Sequence, residues 1–184
     1  MRVAVVDLGT NTCRLFLAEV TGGVVRQEAR LTTVVRLGQG VDETGRLHPQ
    51  AVARTRACLA GYAPRLEAYG PARRLLIATS VLRDAADGRA FLAGVEREFA
   101  LPWRVLGGEE EGSLAFRGGT SSLTRHGHAA PSGPAAPPPD PLLLVDIGGG
   151  STEFVIGAAG RTPTFVGSLD VGVVRLTERF FHAD

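Results

Sequence analysis

The chain has no lysine: all twenty basic side chains among its 184 residues are arginine. This reads as compositional bias, although a guanidinium also suits bidentate contact with phosphate. Charge of either sign is not in excess, with a formal net charge of +1, so no global field draws in a polyanion and a dedicated nucleic-acid-binding role is not expected. Cysteine is scarce. Cys13 and Cys58 have neither C-x-x-C spacing nor nearby histidines, which argues against a disulfide framework or a zinc site and for a reduced, cytoplasmic setting in which both are small core residues. No apolar run is long enough to cross a bilayer, and Met1-Arg2 leads into strand-like sequence without a cleavable apolar segment, so neither a membrane association nor secretion is expected. What remains is a chain of 44% hydrophobic residues, enough for one domain with a real core or for one domain and part of another.

What the sequence does contain is one signature written twice. Arg2 to Thr12 reads RVAVVDLGTNT and Leu142 to Thr152 reads LLLVDIGGGST, with Asp7 and Asp146 at matching positions, too far apart for a short-period solenoid. In each copy an apolar run of strand composition ends on Asp, passes through Gly and hydroxyl residues, and enters a second apolar run. Each copy therefore predicts a strand, a tight loop and a strand. Glycine lets backbone N–H groups approach an anion, and the strand-end carboxylate is placed to meet a metal or its waters. One D-x-G alone is more often an ordinary hairpin turn; the repetition makes two facing loops, a clamp for a phosphate chain.

Between the copies, Arg14 to Val20 and Val24 to Thr33 read as strands joined at Thr21-Gly22-Gly23, and residues 35–47 read as a Gly-rich polar loop. From Pro49, the positions Val52, Thr55, Leu59, Tyr62, Leu66 and Tyr69 recur at helical spacing, predicting an amphipathic helix ended by Gly70-Pro71. Arg74 to Ala78 returns to a strand that turns at Thr79-Ser80, and Phe91, Leu92, Val95 and Phe99 mark a second helix with Asp87 as its N-cap. Trp103 to Leu106 is a short strand, after which Gly107-Gly108 leads through Glu109, Glu110 and Glu111 into a helix running to Phe116. An acidic first turn is also what the helix macrodipole favours. Alternation in this order predicts α/β architecture.

Residues 118–141 hold six of the eleven prolines and read as a linker or long loop, so that residues 1–117 form a first domain and 142–184 the opening of a second. His126 and His128 in that tract receive no role. The second signature is followed by a strand pair around Ala158-Ala159-Gly160 and a helix from near Gly172, too few elements to cover both faces of a sheet.

DLGTNTCRL, VRLGQGVDETGRL, ATSVLRDA at 78–85, GGEEEGSLAF at 107–116, LLLVDIGGGSTEFVIG and VGVVRLTERFF together resemble the exopolyphosphatase and guanosine pentaphosphate phosphatase (Ppx/GppA) family across nearly the whole chain outside the proline-rich tract. The resemblance implies the actin/hexokinase/Hsp70-like (ribonuclease H-like) superfold, here with the second of two related domains present in part. It also implies Mg²⁺-dependent release of terminal orthophosphate from inorganic polyphosphate, from pppGpp, or from both. Residue by residue, it makes Glu111 the general base and Asp146 and Glu153 the acidic pair that assists metal and water. Arg83 grips a phosphate oxygen; Asp7, Gly9, Asn11 and Thr12 form the first phosphate loop, and Gly148, Gly149, Gly150, Ser151 and Thr152 the second. For Arg83 a surface ion pair with Asp84 or Asp87 is the bland alternative. The implied partners are polyphosphate or guanosine penta- and tetraphosphate, with a homodimer admitted. The chain departs from the pattern at Asp87, where the family often has Asn, and family members continue past the last helix through most of the second domain.

Two readings compete with hydrolysis. A catalytically weak module would bind polyphosphate or pppGpp through the same loops without turnover, and an inactive fragment would do neither. A kinase or chaperone of the same superfold would need an adenosine-binding loop later in the second domain, and the pairing of GEEE with GGGSTE argues against it.

Overall fold

A computed structural model describes residues 1–121, 123 and 141–181. His126, His128 and most of the proline-rich tract lie outside the described residues. The chain opens with three antiparallel strands, β1 (Arg2–Leu8), β2 (Thr12–Thr21) and β3 (Val24–Val34), the last two joined at Gly22-Gly23 as the turn sequence predicts. Strands β4 (Arg73–Ala78) and β5 (Trp103–Val105) extend this sheet on the other side of β1 as parallel neighbours, giving the order β3-β2-β1-β4-β5.

The first departure from sequence expectation is α1 (Val41–Thr44), a single helical turn inside the stretch read as loop, bounded at both ends by left-handed glycines. Helix α2 (Pro49–Tyr69) buries Thr55, Leu59, Tyr62 and Leu66 as its periodicity predicts, and stops at Gly70. After it come α3 (Ser80–Asp84) and α4 (Gly88–Phe99), the latter burying Phe91, Leu92 and Val95. Asp87 stands at the N-terminal position of α4, but its carboxylate accepts from the Leu47 backbone N–H at 3.0 Å instead of capping the helix. One core joins β1, β2 and β4 to α2 and α4, with Val6, Leu8, Leu15, Leu76 and Leu92 fully enclosed. Cys13 lies in this core and Cys58 packs against it, both as free thiols.

Helix α5 (Gly108–Gly119) runs two residues into the tract read as linker. Strands β6 (Leu142–Ile147), β7 (Thr152–Gly157) and β8 (Phe165–Leu169) form a second, antiparallel sheet, and α6 (Val173–Phe180) follows. Period-two alternation sorts this sheet cleanly. One face presents Glu153, Val155, Val166 and Ser168 to α5, so the helix that carries Glu111 lies on the second sheet. The opposite face leaves Leu143, Val145, Ile147, Ile156, Phe165 and Leu169 exposed. No helix among the described residues is long and apolar enough to cross a membrane.

Candidate active site

Both signature loops fold into the same hairpin. In the first, Leu8 pairs with Cys13 and the Gly9 N–H donates to the Thr12 carbonyl at 3.0 Å. In the second, Ile147 pairs with Thr152 and the Gly148 N–H donates to the Ser151 carbonyl at 2.9 Å. The backbone following each third strand returns to its own loop. Gly38 N–H bonds the Thr10 carbonyl, and the N–H groups of Val174 and Arg175 bond the Gly149 carbonyl.

The loops meet at Gly150. The hydroxyls of Thr10 and Ser80 are 3.0 Å apart and buried, and a Cβ on Gly150 would sit 2.5 Å from the Ser80 oxygen and 2.7 Å from the Thr10 oxygen. Only glycine permits this approach. Between the loops opens a cleft of about 290 Å³ lined by both signatures together with Glu111 and Glu153.

Sequence position alone does not say why Glu111 faces this cleft; packing does. A Cβ on Gly108 would lie 2.3 Å from Ser168 Oγ, so the helix starts in direct contact with β8. Ser168 in turn donates to Glu153 Oε1 at 2.7 Å, holding that almost fully buried carboxylate at the cleft floor. Of the three glutamates in the first turn of α5, Glu109 is exposed and Glu110 pairs with Arg104 at 2.6 Å, whereas the Oε2 atom of Glu111 is buried without a hydrogen-bond partner. A buried, unpartnered carboxylate oxygen costs free energy unless a ligand or water completes it. Burial, and then the charge of Glu153, pushes Glu111 up from 4.5 to about 7, against the pull of Arg83. Burial likewise raises Asp7, with Asp146 adding to the effect and Arg14 opposing it.

Four carboxylates, those of Asp7, Glu111, Asp146 and Glu153, thus line the cleft with Arg14 the one cationic side chain among the described lining residues. Arg14 holds Asp7 at 3.2 Å. Every candidate phosphate-loop residue except Thr152 lines the cleft. Thr152 opens β7 between Ser151 and Glu153, so the strand's alternation turns it away, and its hydroxyl donates to the Val171 carbonyl. Arg83 is also absent from the lining. It donates to the Leu106 carbonyl at 3.0 Å and lies 3.7 Å from Asp84 and 3.8 Å from Asp170, and its charge acts on Glu111. Thr10, Thr79, Ser80 and Arg14 line the cleft without having been singled out from sequence. The Thr79-Ser80 turn at the end of a strand was the available signal for two of them.

The perturbed glutamate makes a pH prediction. In the metal-free chain, the Glu111 carboxyl resonance is expected to titrate with a midpoint of about 7. The folded state then holds a proton that the unfolded chain releases near 4.5, so folding stability falls as pH rises through that window. Carbon-detected NMR titration with Glu111→Gln as assignment control checks both the midpoint and the direction; a midpoint near 4.5 would mean that the site is open to water.

Comparison with known proteins gives consistent relatives. The model of the Ppx/GppA phosphatase family matches residues 17–184. Exopolyphosphatase 2 of Mycobacterium tuberculosis is 42% identical over 192 aligned residues, which take in 100% of this chain and 56% of that protein. A crystal structure of an exopolyphosphatase from Cytophaga hutchinsonii superposes with a TM-score of 0.84 at 26% identity, covering 100% of this chain and 55% of the other. That of the Aquifex aeolicus Ppx/GppA family member gives 0.76 at 33%, covering 100% and 56%. The chain therefore spans a little over half the length of these relatives.

Proposed function

The chain belongs to the Ppx/GppA phosphatase family, and from that premise we propose that it carries the phosphate-binding and base-bearing part of a Mg²⁺-dependent phosphohydrolase. The substrate is inorganic polyphosphate, cleaved at its end, with pppGpp as an additional substrate. The observation that carries this reading is the unpartnered buried Oε2 of Glu111, aimed into a cleft made by two matching phosphate loops.

Hydrolysis of a terminal phosphoanhydride needs water held in line with the leaving oxygen, a base to take its proton, and compensation for charge on the transferred group. Glu111, poised at about 7, has the basicity to hold and deprotonate that water near neutral pH. The new P–O bond forms to the water oxygen as the bridging bond breaks, the proton passes to Glu111, and the shortened chain leaves with the electron pair. The Gly9 and Gly148 N–H groups close their own hairpins, which leaves the backbone N–H groups of Thr10 to Thr12 and Gly149 to Ser151 to meet the phosphates, while Arg14 offers a guanidinium to a non-bridging oxygen.

The donor set suits Mg²⁺. Among the described residues no three His, Cys, Asp or Glu side chains come together as a metal cage, and Mg²⁺ typically binds through one or two carboxylates, waters and substrate phosphates. Asp146 and Glu153, opposite each other in the β6–β7 register, are the carboxylates proposed to hold it, with Asp7 across the cleft. When bound, Mg²⁺ supplies charge neutralisation on the phosphate oxygens and aligns them.

The deciding experiment is orthophosphate release by the purified chain from polyphosphate and from pppGpp, with and without Mg²⁺. Release that requires Mg²⁺ is the expected result. Binding of either substrate without release would favour the binding-module reading for this length of chain, and neither binding nor release from folded protein would sink both.

A further inference from the structure

Outside the cleft, the densest set of polar contacts between the two sheets' territories converges on one side chain of α6. Arg175, only 18% exposed, uses three of its nitrogens at once. Its Nε donates to the Gly150 carbonyl at 3.1 Å, Nη1 to Asp42 Oδ1 at 2.6 Å, and Nη2 to Asp84 Oδ2 at 2.8 Å. Asp42 belongs to α1 and Asp84 to the end of α3, both on the first domain, whereas Gly150 is the crest of the second phosphate loop. Two further contacts lie alongside: Arg179 donates to Asp42 at 2.7 Å, and the Glu178 carboxylate accepts from the Gly40 N–H at 3.1 Å.

We propose that Arg175 is a positioning residue that fixes the second phosphate loop at its distance from the first. Gly150 is seated from one side by Thr10 and Ser80 and from the other by the Arg175 guanidinium, which is itself anchored on two first-domain carboxylates. A peptide whose carbonyl is held from behind keeps its N–H groups directed into the cleft, so the ordering is complete before phosphate arrives. The demand on the side chain is a planar fork that reaches a carbonyl and two carboxylates simultaneously, which a lysine ammonium meets only in part. A second consequence is that Asp42 and Asp84 act on phosphate affinity through Arg175, although neither carboxylate lines the phosphate-binding cleft itself.

This inference rests on the phosphate-binding reading of the cleft, and its test separates the two. Calorimetric titration of the purified chain with Mg²⁺ and tripolyphosphate is compared across Arg175→Met, Arg175→Lys, and the Asp42→Asn/Asp84→Asn pair, each with its thermal midpoint. Arg175→Met is expected to weaken binding about tenfold or more, in the range of coupled networks, and Arg175→Lys to recover part of that loss. The double amide variant is expected to weaken binding comparably, and adding Arg175→Met to it to cost little more. Undiminished binding by Arg175→Met overturns the proposal, as does additivity between the arginine and aspartate changes. Loss that tracks the thermal midpoint with no difference between Met and Lys also overturns it, since that pattern is packing alone. Should Arg175→Met fail to fold, the amide pair and Arg175→Lys carry the same comparison. Absence of binding by the unaltered chain overturns the phosphate-binding reading itself, and this inference with it.

Discussion

Glu111→Gln is expected to lower the rate of orthophosphate release by about 10²–10⁴-fold, the range typical for removal of a positioned general base, while affinity for the substrate stays within a few-fold. Glutamine keeps the shape of the side chain and can still hold a water, but it cannot take the proton. The expected asymmetry between rate and affinity follows from the electrostatics. Glu111 shares the cleft with Asp7, Asp146 and Glu153, so removing one negative charge relieves repulsion toward a polyanion. Its two neighbours are built-in controls. Glu109 is exposed and Glu110 is held by Arg104 at the surface, and amide replacement of either is expected to leave the rate nearly unchanged, in keeping with the small worth of surface ion pairs. Steady-state kinetics and calorimetry on the three variants suffice. Equal losses in rate and affinity for Glu111→Gln would instead make Glu111 a group that holds ligand or metal.

Much of the site was legible because its geometry is local. A strand, a Gly-containing turn and a strand fix their own hairpin, so the doubled signature predicted two matching loops with Asp7 and Asp146 at corresponding places; these two line the cleft together with Asn11, Gly148 and Ser151, which the family resemblance had added. The helices were legible for the same reason: the spacing of Leu59, Tyr62 and Leu66 states which face is buried. What the sequence could not supply was anything decided by contact between distant segments. Thr152 stands one residue from Ser151 and Glu153 but turns away by strand alternation, a consequence of register with Ile147. Arg83 follows the family's motif and lies beside its chain neighbour Asp84, the ion pair weighed from sequence, but it is also engaged by Leu106 and Asp170, partners whose proximity depends on tertiary packing. Arg175 and Ser168 received no role for a related reason: Arg175 stands within the VGVVRLTERFF motif, but what it and Ser168 hold is set only once α6 and β8 are folded against the loops. Even Asp87, a sound N-cap by local rules, is diverted to Leu47 N–H because a backbone donor from another segment reaches it first.

The position of α5 leads to the second large expected effect. Phe116→Ala is expected to destabilise the second sheet by about 3–5 kcal/mol, the usual cost of emptying a fully buried phenylalanine site. Phe116 is completely enclosed, and its ring lies against β7, within 3.2 Å of where a Cβ on Gly157 would be. The large core around the five-stranded sheet does not include it. Around it, Val155 is the buried apolar side chain contributed by the three strands β6 to β8, whereas the outer face of that sheet is exposed. A loss of this size is a large fraction of the roughly 5–15 kcal/mol that stabilises an ordinary domain, and here it falls on the smaller apolar cluster. The expected result is therefore uneven unfolding: amide exchange protection lost across β6, β7 and β8 while β1, β2 and β4 keep theirs, together with loss of phosphate binding because both Glu111 and the Gly148–Ser151 loop lose their support. Hydrogen exchange read strand by strand separates this from the alternative. A uniform drop in protection over both sheets would show that the three-stranded sheet draws its stability from the core of the five-stranded one, with the contacts of α6 and Gly150 transmitting it.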